Sequence, residues 1–273
     1  MEVGGTNGSN GYTNSSQLKT ESAEIVIENG ITKIGYNAFN RGSAKQIYLP
    51  STITSIGNSA FYDQTALESV NLQECVSLRE IGNYAFNYNI ALTSVSFPES
   101  LTNIGDGAFN NCEGLEEMAL PTKLKALGSN AFFSCKKLVA NEDKPIIFPK
   151  TLEQCNFPGA FNGCENVTAV VFEEGMTEIP ENVLYSCEGV ASITIPGSVT
   201  EIGDFAFRET AIESFDFHGA QIPSIGTGAF MDCGSLASIE LPGTLNTLGR
   251  SAFENCVELK SIEIPDAVRT LEY

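Results

Sequence analysis

Tryptophan is absent from this 273-residue chain, histidine occurs once, and basic residues are scarce, 15 against 34 acidic. Each shortage excludes something. The lone His218 is the only base available to a Ser-His or Cys-His nucleophile pair, and no Gly-x-Ser-x-Gly elbow flanks any serine. No Gly-x-x-x-x-Gly-Lys-Ser/Thr loop is present to cradle phosphates. The eight cysteines include no CxxC pair, so neither a metal nor a cofactor is expected. Carboxylate pairs such as Glu116-Glu117 and Glu173-Glu174 carry no glycosidase signal in a chain this acidic. A net charge of -19 disfavours nucleic acid and anionic membranes, which both need a basic surface. Apolar runs fall well short of the roughly 18 residues of a membrane span, so no membrane insertion is expected.

What the chain has in abundance is one hexapeptide, Ile-Gly-x-x-Ala-Phe. Intact copies begin at Ile34, Ile56, Ile81, Ile104, Ile202 and Ile225, with Leu in the first place at Leu127 and Leu248. Degenerate copies lie at Cys155 to Phe161 and Ile179 to Leu184, and successive starts are mostly 23 residues apart. A fixed period of this size marks a solenoid, in which each unit buries its apolar face only against its neighbours. The repeat region is read as 24–273, with the last unit truncated. Residues 1–23, rich in Gly, Asn, Ser and Thr, are read as a flexible polar lead-in.

The ninth unit shows the pattern most clearly. In Leu236-x-x-Ile239-x-Leu241-Pro242, apolar and polar residues alternate as in a short half-buried strand, and Pro242 ends it. Leu245 and Leu248 re-enter the core through a second extended piece. Ala252, Phe253, Cys256 and Leu259 then have the spacing of a single helical turn on the far side. The Gly after each Ile suits either a left-handed backbone or a tight chain approach. Pro180 at that place in the seventh unit favours close approach, because proline cannot adopt positive φ.

These residues resemble the BspA-type leucine-rich repeat, whose consensus is close to Leu-x-x-Ile-x-Leu-Pro-x-x-Val/Leu-x-x-Ile-Gly-x-x-Ala-Phe-x-x-Cys, over about Ile25 to Leu271. The resemblance implies an α/β fold: a curved right-handed leucine-rich-repeat solenoid of about ten repeats of ~23 residues, with a parallel sheet on one face. It implies a non-enzymatic binding module of the kind common on surfaces of mucosa-associated anaerobic bacteria and some protists. Members are implicated in adhesion to host matrix proteins and in binding other microbes. No active site transfers with the repeat. An intracellular interaction scaffold and the targeting arm of a larger enzyme are the alternatives.

Departures from the repeat point to anything specific. The fifth unit carries extra residues in Val139-Ala-Asn-Glu-Asp-Lys-Pro145, and the second gains two in Leu72-Gln-Glu-Cys75-Val-Ser-Leu78. Solenoid insertions emerge as loops on one face, often the binding face. Six cysteines share one column (Cys112, Cys135, Cys164, Cys187, Cys233, Cys256) and read as buried thiols, because side chains stacked in register do not converge as a disulfide needs. His218 reads as a solvated loop residue.

Outward strand positions form the expected recognition row, and the candidate ligand-binding residues are Tyr48, Ile147, Val171, Thr194, Asp216 and Glu240. Ile147, Ala169 and Val171 are expected to form a central apolar patch beside the insertion, with Asp216, Glu240 and Glu263 ending the row. Tyrosines crowd the first half, with Tyr36, Tyr48, Tyr62, Tyr84 and Tyr88. The expected partner is a host matrix or other surface protein. The expected location is secreted or cell-surface, with a signal peptide presumed removed before Met1.

Overall fold

A computed structural model describes residues 2–3 and 24–271. The chain is a right-handed parallel β-solenoid of about eleven repeats of some 23 residues. It divides into two compact units, Met1–Leu138 and Val139–Tyr273, and the division falls where the fifth-repeat insertion begins.

Most repeats contribute two short strands, the piece at the start of the hexapeptide being a strand in its own right. In the first unit the Leu-x-x-Ile-x-Leu segment gives Glu24–Val26, Gln46–Tyr48 and Ser69–Val70 in one parallel register, and Ser94–Val95 with Glu117–Met118 in another. The start of the hexapeptide gives a second sheet of two-residue rungs, in which Ile34, Ile56, Ile81, Ile104 and Leu127 pair in line. Glu2–Val3 pairs with Lys33–Ile34, while residues 4–23 of the expected lead-in lie outside the described residues. The second unit repeats the plan. Ile146–Phe148, Ala169–Phe172 and Ser192–Thr194 form one sheet, and Ser214–Phe215 pairs with Ser238–Ile239. Glu178–Ile179 to Thr270–Leu271 supply the second sheet.

Stacked phenylalanines fill the core between these layers. Centroids of Phe39, Phe61, Phe86, Phe109 and Phe132 follow one another at 5.2–5.4 Å, each ring nearly parallel to the next. In the second unit Phe207, Phe230 and Phe253 continue at 5.3 Å, with Phe207 tilted. Identical side chains in register on a parallel stack produce this column, and each ring adds apolar burial to both neighbours.

The Ala-Phe segment is not the helical turn that its apolar spacing predicts. Backbone N–H groups there donate to the next repeat: Ser59 to Asn83, Phe61 to Ala85 and Asp63 to Asn87, at 2.7–2.8 Å. Left-handed backbone at the fourth position (Asn37, Ser59, Tyr84, Asn130, Asn182) and again two residues after the Phe (Arg41, Asp63, Tyr88, Asn111) turns these groups along the stack. The segment is therefore a third ladder. Among the described residues the helical segment is a 3-10 turn, Leu72–Glu74, which absorbs the second-repeat insertion and buries Leu72 and Cys75.

Close approach explains the recurring glycine. A Cβ on Gly57 would stand 2.8 Å from the Ile34 carbonyl oxygen and 2.9 Å from the Gly35 carbonyl carbon, inside normal contact. Positive φ belongs to the fourth hexapeptide position, not to this one.

Candidate functional site

Parallel pairing places three of the six candidate residues side by side. Ile147 pairs with Val171, and Val171 with Thr194, so the three stand in one lateral row across the sheet of the second unit. Their flanking residues point inward: Ile146, Phe148, Val170 and Phe172 are buried, whereas Ile147 is 53% exposed. Fully burying an aliphatic side chain of this size contributes about 1.5–3 kcal/mol, part of which Ile147 still has to offer a partner. Asp216 and Glu240 occupy the equivalent place in the next two repeats, immediately after the paired Phe215 and Ile239 of a separate two-stranded sheet. Both are exposed, and both line an open groove of about 660 Å³ floored by Phe217, Ala220 and Leu241.

Tyr48 belongs to the first unit, where it ends the strand Gln46–Tyr48 and pairs with Val26. It is 42% exposed, and its hydroxyl donates to Gln46 Oε1 at 2.6 Å. The six candidates are thus one residue in the first unit and five in the second.

Ala169 corrects the expected patch. It is buried, not outward, because the insertion runs alongside it. Ala140 bridges to Val167, and its carbonyl accepts from Thr168 N–H at 2.7 Å and from Ala169 N–H at 3.3 Å. The inserted residues close as a tight turn: Asn141 and Lys144 exchange backbone hydrogen bonds, and Asn141 Oδ1 accepts from Asp143 N–H at 3.1 Å. That turn walls a second groove of about 590 Å³, lined by Glu142, Asp143, Ser192, Glu213 and Ser214. Glu213 was missed by the sequence reading, although its place just before a strand, opposite a flagged insertion, was signal enough to find it.

The remaining polar groups are accounted for locally. His218 is exposed, its N–H donating to Asp216 Oδ1 at 2.7 Å and its Nδ1 lying 3.5 Å from Asp216 Oδ2. Arg208 lies over the Tyr185 ring at 4.8 Å and is paired with Asp232 at 2.9 Å and Glu209 at 3.2 Å. All eight cysteines are buried and free. Their thiols are donors in the stack: Cys112 Sγ to the Phe86 carbonyl at 3.2 Å, Cys135 to Phe109 at 3.4 Å, and Cys233 and Cys256 to Phe207 and Phe230 at 3.1 Å. Burial pushes the Cys112 thiol up to about 12, and that of Cys75 to about 11. Among the described residues no group of three or more His, Cys, Asp or Glu is arranged to hold a metal ion, and no helix is long and apolar enough to cross a membrane.

A repeat solenoid offering flat, open sheet faces, with a stacked apolar core, is a non-catalytic scaffold of the protein-binding kind. The BspA-type leucine-rich repeat region matches six copies over residues 10–139 and 157–273, and the chain belongs to that family. Among curated proteins, none matches the chain. Solved structures do. A leucine-rich repeat protein from Bacteroides ovatus is 21% identical, covering 92% of this chain and 92% of its own, with a TM-score of 0.35. A leucine-rich cell-surface protein from Faecalibacterium prausnitzii is 21% identical, covering 89% and 87%, with a TM-score of 0.39. The pneumococcal vaccine antigen PcpA is 18% identical, covering 90% and 73%, with a TM-score of 0.49.

Proposed function

We propose that this chain is the adhesive part of a secreted or cell-surface protein, binding a host matrix or other surface protein through the sheet face of its second unit. The observation that carries the reading is the lateral row Ile147–Val171–Thr194, in which an exposed Ile147, a half-buried Val171 and an exposed Thr194 are held in register on one sheet. Exposed apolar residues rimmed by polar ones mark interaction surfaces, and fixed strands lose little entropy when a partner docks. The family's repeat and the cell-surface description of the Faecalibacterium relative support the location.

The test is binding of the whole chain to immobilised fibronectin, fibrinogen and collagen by biolayer interferometry. At least one should bind, and Ile147→Asp with Val171→Asp should weaken that binding tenfold or more while circular dichroism and thermal midpoint stay near wild type. Ile147→Ser alone should give a smaller loss. Binding that the double variant leaves intact would refute the sheet face as the contact.

A further inference from the structure

We propose that the segment bound on this face is an extended strand of a basic protein, laid along the solenoid axis across the rungs. It carries apolar residues at two alternate positions and Lys or Arg at the next two. The inference rests on the sheet-face reading above and adds the partner's chemistry, spacing and direction.

Spacing comes from the repeat itself. Ile147, Val171 and Thr194 stand on three paired rungs of one sheet, and Asp216 and Glu240 follow the two paired strands of the next; at about 4.8 Å per repeat the five positions span roughly 19 Å. An extended chain turns the same face toward the sheet every second residue, about 6.7 Å. Residues p and p+2 then rest on Ile147, Val171 and the Thr194 methyl, while p+4 arrives at Asp216 and p+6 at Glu240. The surface changes from aliphatic to acidic once along this line, and the partner should change from apolar to basic once as well.

Charge complementarity selects the basic partner. The second unit holds 21 acidic and 6 basic residues, against 13 and 9 in the first. The row is bordered on its other edge by the groove that Glu142, Asp143 and Glu213 line. A segment lying there meets carboxylates at one end of the row and along one side, and aliphatic side chains in the middle. An acidic or wholly apolar segment would take Asp216 and Glu240 out of water with no cation beside Glu240 and only the local His218 contacts on Asp216, which is unfavourable for both carboxylates.

The experiment is a methyl NMR titration of the whole chain with the peptide Gly-Val-Ser-Val-Ser-Lys-Ser-Lys-Gly. A second peptide, Gly-Val-Lys-Val-Lys-Ser-Ser-Ser-Gly, has the same composition but carries its cations on the opposite face of the strand. The first peptide should shift the Ile147 and Val171 methyl signals and bind at least five times more tightly than the second. Val171→Asp should abolish the Ile147 shift. Asp216→Asn with Glu240→Gln should weaken binding about tenfold and flatten its salt dependence. Equal affinity for the two peptides, or unmoved Ile147 and Val171 signals, would overturn the proposal. If the peptides fail while binding to a matrix protein is still lost in the Ile147→Asp, Val171→Asp variant, the partner chemistry is wrong and the sheet-face reading stands.

Discussion

The cysteine column shows what a single residue type does in a stacked fold. Four of its thiols, those of Cys112, Cys135, Cys233 and Cys256, each give their proton to a phenylalanine carbonyl of the preceding repeat. In the second repeat the same position is Gln64, whose Nε2 donates to the Phe39 carbonyl, so the role is a buried donor and cysteine is one way to fill it. Burial disfavours the thiolate and raises Cys112 to about 12. Its unfolded value is near 8.5. The folded chain keeps the proton that the unfolded chain releases, so stability is constant below about pH 8.5 and falls as pH rises toward 12. The loss is about 1.4 kcal/mol per pH unit for each such thiol. Thermal midpoints measured from pH 7 to 10.5 should therefore decline above pH 9, and Cys112→Ser, which keeps a donor, should remove its share of the slope. Native thiols should also resist Ellman's reagent until the chain is unfolded. Rapid labelling of the native protein would show that the column is open.

At the scale of the element, each repeat is held by three ladders and by one contact that admits no side chain. Gly57 lets its backbone lie against Ile34 and Gly35, and Gly57→Ala should cost about 1–3 kcal/mol, as overpacking does. Gly243→Ala, where an added Cβ meets nothing within 4 Å, should be nearly neutral. Paired denaturant melts decide this, and equal midpoints would remove the close-approach argument. The Leu-x-x-Ile-x-Leu strand and the close approach were legible because alternation and Pro180 each have few physical explanations, while the second strand showed in the sequence only as an extended piece. The third ladder was not. Apolar residues at spacings of 1, 4 and 7 arise from a helical turn and equally from turns joined by left-handed residues. Asn37, Ser59, Asn130 and Asn182 were a visible hint of the latter, since Asn tolerates positive φ. Tyr84 and Phe205 hid it: bulky residues at positive φ, each with its ring against a glycine of the next repeat, where a Cβ on Gly107 or Gly228 would come within 2.5 Å. The row Ile147–Val171–Thr194 was readable from strand alternation, whereas the burial of Ala169 depended on where the inserted Ala140 pairs, which no local pattern encodes.

Across the whole chain, charge is distributed far less evenly than the repeat. Most of the -19 belongs to residues 139–273, and there the register sets carboxylates against each other: Glu178 pairs directly with Glu201, both exposed. Like charges opposite one another in a ladder destabilise by a few tenths of a kcal/mol or more, and a strongly charged compact state repels itself generally. A chain that keeps such repulsion in its folded state should gain stability when the repulsion is screened. Raising sodium chloride from 50 to 500 mM shortens the Debye length from about 14 Å to about 4 Å, below the rung-to-rung distance of most exposed pairs. The thermal midpoint at pH 7.5 should rise by a few degrees over that range, while any binding steered by Asp216 and Glu240 weakens over the same range. Glu178→Gln should raise the low-salt midpoint and reduce its salt dependence, because it removes one member of the facing pair without altering the strand. The two salt effects have opposite signs and one origin, so they are best measured on the same preparation. A midpoint that falls with salt would mean that the exposed ion pairs between repeats, such as Lys136 with Glu113 at 2.7 Å, outweigh the repulsion.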